Sequence, residues 1–124
     1  MQVPILKQGS FLIASVQAAL TDTDLLDLRD RLADQVGAHR SRGVIVDLTA
    51  LDVMDSFSTR TLRSIAQILR LRGAETVIVG MQPEVAFAMV QLGLRLGRVS
   101  TALDLEEGLE LLRRRERGGS SHGR

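Results

Sequence analysis

Val44-Ile45-Val46-Asp47-Leu48 is a nearly continuous apolar run, introduced by Gly43 and followed by a polar loop over residues 49–55. Strict apolar/polar alternation marks a strand with one wet face, whereas an uninterrupted run is what a central strand needs when both faces are covered. The run therefore predicts an α/β domain with helices packed on a mostly parallel sheet. After the loop, Leu62, Ile65, Ala66 and Leu69 recur at helical spacing and predict a helix over residues 56–71 that stops at Gly73. A second buried strand over residues 76–79 ends at Gly80. Pro83 then opens a third helix, where its missing N–H is not needed, reaching about Leu92-Gly93. A short extended piece near Val99-Ser100 precedes Asp104, an N-cap with Glu106 and Glu107 in the first turn of a last helix through Leu105, Leu109 and Leu112. Towards the start of the chain, Leu25, Leu28, Leu32 and Val36 predict an amphipathic helix from Thr23 to a stop near Gly37. Residues 4–7 and 11–16 around Gly9-Ser10 predict an opening hairpin. The order is ββαβαβαβα, a single domain over residues 1–115 with a flexible basic tail over residues 116–124.

With 124 residues the chain is long enough for one core and too short for two domains, and 44% hydrophobic with 25% charged residues is a globular composition. Absence of cysteine and the presence of two histidines remove disulfide frameworks, thiolate chemistry and cysteine- or histidine-rich metal sites. No apolar run reaches the roughly 18 to 20 residues of a membrane span, and the start MQVPILKQG lacks a signal-peptide pattern, so a cytoplasmic protein is expected. The last twelve residues hold five arginines against one glutamate, leaving a mildly acidic body with 11 basic and 14 acidic residues. Such a body, with phenylalanine its sole aromatic type, lacks the basic face and stacking platform of a nucleic-acid binder. The arginines read as a favourable, solvated helix C-terminus.

Ligands of α/β sheets gather at the carboxyl ends of the strands, here the loops at residues 49–55 and 80–82. Neither carries a P-loop, a GxGxxG or a GxSxG, and neither His39, in a polar connection, nor His122, in the tail, stands near a nucleophile. No enzyme is expected, no cofactor, and no tight nucleotide or metal binding. Asp47, Asp52 and Asp55 cluster by sequence as a possible Mg²⁺ set, but loop solvation and helix capping account for them, and no basic residue nearby would bind a substrate phosphate.

Asp55-Ser56-Phe57-Ser58-Thr59-Arg60 puts four hydroxyl or carboxylate side chains at a helix mouth, where simple capping of free N–H groups is one complete explanation. Helical phase adds a distinction. At about 100° per residue, Ser58 falls with Leu62, Ile65 and Leu69 on the buried face, and Ser56 with Arg60, Arg63 and Gln67 on the exposed one. Ser56 is then the accessible hydroxyl. A phosphate there would suit the helix N-terminus and repel a partner seated over Asp55 and Ser56, with Arg60 one turn on available to pair with it.

These residues, from Val44 through Asp55-Ser56-Phe57, resemble the signature of the STAS family. Pro4-Ile5-Leu6-Lys7, Gly80-Met81-Gln82-Pro83 and the stretch at residues 101–109 add to the resemblance, which spans roughly residues 3–114. Within that family the chain is similar to the small single-domain antagonists of the stressosome, the RsbS branch. The resemblance implies a STAS fold and a scaffold that sequesters an RsbT-type serine kinase within a complex with RsbR-like STAS proteins, as a homodimer or larger assembly. It further implies kinase release upon phosphorylation of the serine that matches Ser56, and a partner surface on Asp55, Phe57, Arg60, Met81 and Gln82. The alternative it leaves is an anti-sigma-factor antagonist of the SpoIIAA/RsbV type that binds an anti-sigma-factor kinase directly. Those antagonists read Asp-Ser-Ser-Gly where this chain reads Asp55-Ser56-Phe57-Ser58.

Overall fold

The computed structural model describes residues 3–16, 20–51, 53–91 and 99–122, with side chains as far as Arg117. Five strands form one sheet in the order of the chain: β1 (Ile5–Gln8), β2 (Phe11–Ser15), β3 (Gly43–Asp47), β4 (Glu75–Val79) and β5 (Ser100–Ala102). The β1–β2 pair is the expected antiparallel hairpin, turning at Gly9 with φ 60° so that Gln8 faces Phe11. From β2 onward every pairing is parallel, and Ser15, Asp47 and Val79 lie level with one another at the carboxyl edge.

The unbroken apolar run in β3 is explained by two cores. Val44 and Val46 face α1 (Asp22–His39) and α2 (Ser56–Leu71), packing with Leu28, Leu32, Ile65 and Leu69, while Ile45 faces Leu109 and Leu112 of α4 (Leu105–His122) on the other side. Helix α3 (Pro83–Gln91) sends Val85 and Met89 into the first core. Helix α4 comes close to the sheet because residue 108 is glycine: a β-carbon there would stand 2.7 Å from Val79 Cγ1.

Two boundaries depart from the sequence reading. Helix α1 does not stop at Gly37 but continues to His39, because Arg40 takes the left-handed conformation at φ 50° and its N–H closes on the Val36 carbonyl. His39 is therefore the last residue of a helix rather than part of a connection. Helix α4 does not end at Arg115. It runs to His122 across Gly118 and Gly119, past the expected domain boundary at residue 115. Glu110 pairs with Arg114 at 3.9 Å and Arg117 at 3.6 Å on the exposed face of the turns before the two glycines. The expected end of α3 at Leu92-Gly93 lies outside the described residues.

Candidate functional site

The parallel register brings the loops after β3 and β4 together at one edge of the sheet. Asp47, the last residue of β3, accepts hydrogen bonds through Oδ1 from the Thr49 N–H at 2.9 Å and the Thr49 hydroxyl at 2.5 Å. Its carboxylate is thus occupied in shaping the loop, and Asp52 lies outside the described residues. Among the described residues no cluster of three or more metal-ligating side chains occurs. Gly80 carries φ 72°, and a β-carbon there would overlap the Thr49 hydroxyl at 2.0 Å, so glycine is required for the two loops to meet. The Gln82 Nε2 donates to the Thr49 carbonyl at 2.9 Å and ties them further.

This framework fixes the start of α2. Asp55 is extended and caps the helix, its Oδ1 accepting from the Ser58 N–H at 2.8 Å. The Ser58 backbone N–H, and then the Ser58 hydroxyl, hold the Asp55 carboxyl below the usual carboxylate pKa. The Thr59 hydroxyl is fully buried and donates to the Asp55 carbonyl at 3.0 Å, and the buried Thr61 hydroxyl donates to the Phe57 carbonyl at 2.8 Å. Ser56, the first helical residue, differs from the two threonines: among the described residues its hydroxyl makes no hydrogen bond.

Burial alone does not separate Ser56 from Ser58, because both are half-buried. The expected contrast between an exposed and a buried serine is corrected here. Ser58 faces a cavity of about 190 Å³ between the starts of α1 and α2, lined by Leu25, Leu48, Met54 and Leu62 with Asp55 as its other polar member, and so it is not packed into the core. What distinguishes the two residues is that the Ser58 N–H is committed to the Asp55 carboxylate and its side chain borders that cavity, whereas Ser56 precedes the cap contact.

The other expected residues surround this point. Arg60 is exposed, Phe57 is 38% exposed, and Met81 is half-buried against the core. Gln82 is half-buried and already bonded to the loop, so it positions the edge as well as bordering it. Two apolar side chains at this edge escaped the sequence reading: Val53, 74% exposed, and Leu103, 80% exposed in the loop after β5. Each follows a strand and falls outside any helical period, a pattern that leaves an apolar side chain without a core position.

Residues 2–107 match the STAS domain family. The chain is 31% identical over 83 residues to RsbRA of Bacillus subtilis (strain 168), an RsbT co-antagonist protein. That match takes in 67% of this chain and 30% of the relative, so the chain spans about a third of its length. Among solved structures, a serine-to-glutamate variant of RsbS from Moorella thermoacetica superposes with a TM-score of 0.82 at 31% identity, over 94% of this chain and 99% of the other. A chain from a structure of the stressosome, described as a signal integration and transduction hub, superposes with a TM-score of 0.76 at 30% identity, over 92% and 99% of the two chains. SpoIIAA in its unphosphorylated form, at 13% identity and a TM-score of 0.68 over 90% and 97% of the two chains, shares the fold. With its two-sided sheet, its Asp-Ser helix start and a match over most of its length, the chain belongs to the STAS domain family.

Proposed function

We propose that this chain is a phosphorylatable stressosome scaffold that sequesters an RsbT-type serine kinase and releases it when Ser56 is phosphorylated. The observation that carries the reading is the uncommitted hydroxyl of Ser56, set between a capping aspartate and the exposed Phe57. The Thr59 hydroxyl donates to the Asp55 carbonyl and the Ser58 N–H holds the Asp55 carboxylate, so a phosphate on Thr59 would break a buried contact and one on Ser58 would crowd the capping carboxylate. At Ser56 the first-turn N–H groups and the positive end of α2 accommodate a doubly charged phosphate, and the fold survives the modification. A partner lying over Asp55, Ser56, Phe57 and Arg60 meets a new, strongly hydrated charge beside an existing carboxylate. The complex then loses several kcal/mol, on the scale of roughly 2 to 5 for an unpaired interfacial charge. The switch needs no catalytic residue, no cofactor and no metal in this chain.

Similarity to RsbS and to RsbRA supports assembly with RsbR-like STAS proteins in a cytoplasmic complex. Among the described residues no helix is long and apolar enough to cross a membrane. The test is to mix the chain with an RsbT-type kinase, with and without Mg-ATP, following complex formation and intact mass together. The expected course is binding without ATP, then one phosphate on the peptide carrying Ser56 and loss of the complex. Ser56→Ala should bind and resist the label, and Ser56→Asp should fold normally and bind weakly. Label persisting at Ser58 or Thr59 in the alanine variant, or undiminished binding by the aspartate variant, contradicts the reading.

A further inference from the structure

The cavity between the starts of α1 and α2 is a feature that the switch does not use. Its floor is Val16, Leu25, Leu48, Met54 and Leu62, none of them more than 4% exposed, and its rim holds Val53, Asp55 and Ser58. The sequence explains why it exists. The buried stripe of α2 runs through Leu62, Ile65 and Leu69, and helical spacing puts residue 58 one turn before Leu62 on the same stripe. A leucine at that position would close the stripe over the floor, whereas the small side chain of Ser58 leaves about 190 Å³ between the two helices. Capping explains Asp55, whose Oδ1 accepts the Ser58 N–H at 2.8 Å. It does not explain a serine where the core calls for a large apolar side chain.

Apolar side chains that line a cavity forgo dispersion contacts, and a hydrocarbon body among them supplies those contacts while leaving water. A cavity of about 150 Å³ with such a lining admits a six-membered ring, so this one takes a ring that carries one further group. The rim sets the chemistry of that group. Asp55 is ionised at neutral pH, because the Ser58 N–H and then its hydroxyl hold the carboxyl below the usual range, and an ionised carboxylate only accepts hydrogen bonds. An anion is repelled. A cation gains less than the carboxylate alone would offer, because the N-terminus of α2 adds about half a positive charge at the same place. The group that suits both is a neutral hydrogen-bond donor.

We propose that this cavity binds a small neutral alcohol, its compact hydrocarbon body seated on the buried floor and its hydroxyl donating to the Asp55 carboxylate at the rim. Largely apolar walls with a few polar groups that fix orientation are the usual build of small-molecule sites. With so few ligand atoms the affinity is modest, a dissociation constant on the order of 1 mM. The site shares Asp55 with the helix cap, yet it belongs to the free chain and stands independently of the phosphoswitch.

The test is a methyl-resolved NMR titration of the full chain with cyclohexanol, cyclohexanone and cyclohexanecarboxylate. Cyclohexanol should shift the methyl signals of Leu25, Leu48 and Leu62 saturably and bind severalfold more tightly than the ketone, and the carboxylate should not saturate. Ser58→Leu fills the cavity from within and should weaken cyclohexanol at least about tenfold. Leucine is also the better helix former, so the melting temperature of this variant should equal or exceed the parent's, and lost binding then cannot be ascribed to misfolding. Ser58→Ala keeps the cavity and should still bind. Asp55→Asn retains a capping oxygen and gains N–H donors, so it should bind the ketone and the alcohol about equally. No saturable shift with cyclohexanol, equal binding of ketone or carboxylate by the parent, or undiminished binding by Ser58→Leu overturns the site. Shifts of these methyl signals that follow protein concentration without any probe would seat a second copy's side chain in the cavity, and overturn it too.

Discussion

Asp55 holds the start of α2, and the direction of its pKa makes that role measurable. Its carboxyl is held below the usual value by the Ser58 N–H and hydroxyl, so the native state favours the ionised form. The resulting stability is fully present above the ordinary aspartate pKa of about 3.9 and is lost as pH falls through the lower native value. Asp55→Ala should destabilise the protein by about 0.5–1 kcal/mol at neutral pH, the lower part of the N-cap range because the group faces water. Urea unfolding at neutral pH and at the acid end should show the gap between parent and variant closing as the carboxyl protonates. A gap independent of pH would mean that the charge of Asp55 takes no part in the cap. At this same scale, residue types and spacing singled out the Asp-Ser start of α2. They did not show that the Thr59 hydroxyl is engaged by the Asp55 carbonyl while that of Ser56 is uncommitted, because hydrogen bonds depend on side-chain directions that spacing does not encode.

Helix α2 connects the two edges of the sheet and carries the core between them. Its apolar stripe was legible because Leu62, Ile65 and Leu69 repeat at helical spacing, and all three are buried. Ile65 is 1% exposed and packs in the same core as Leu28 and Val46. Ile65→Asp places an unpaired charge in that core and should abolish cooperative unfolding, costing more than about 4 kcal/mol, as scanning calorimetry or circular dichroism would show. A melt near the parent's would contradict the helix packing. The ends of α1 and α4 were less legible for a shared reason: glycine is a strong statistical stop but only a weak energetic one. Gly37 stays helical because Arg40 supplies the cap one turn later, and the helix continues across Gly118-Gly119.

At the scale of the whole molecule the loops that follow the strands gather at one edge of the sheet. The carboxyl edge presents Ser56, Phe57, Val53 and Leu103, three of them apolar and at least 38% exposed, and the proposed function seats the partner there. Under the proposed function, mixing the chain with an RsbR-like STAS protein should give particles far larger than either component, measured by light scattering. An antagonist that captures an anti-sigma-factor kinase directly should instead remain small. Ser56→Asp should leave assembly with STAS partners intact while weakening the kinase complex, which separates scaffold formation from switching.

The order of strands and helices, the two-sided burial of β3 and the Asp-Ser helix start were determined by the sequence itself, since hydrophobic period and turn chemistry act over a few neighbouring residues. Tertiary structure decided the rest. It set Gly80 against Thr49 across more than thirty positions of chain, and it tied Gln82 to the Thr49 carbonyl beside the start of α2. Such sites arise where elements distant in sequence end side by side, and the parallel sheet fixes which ends those are.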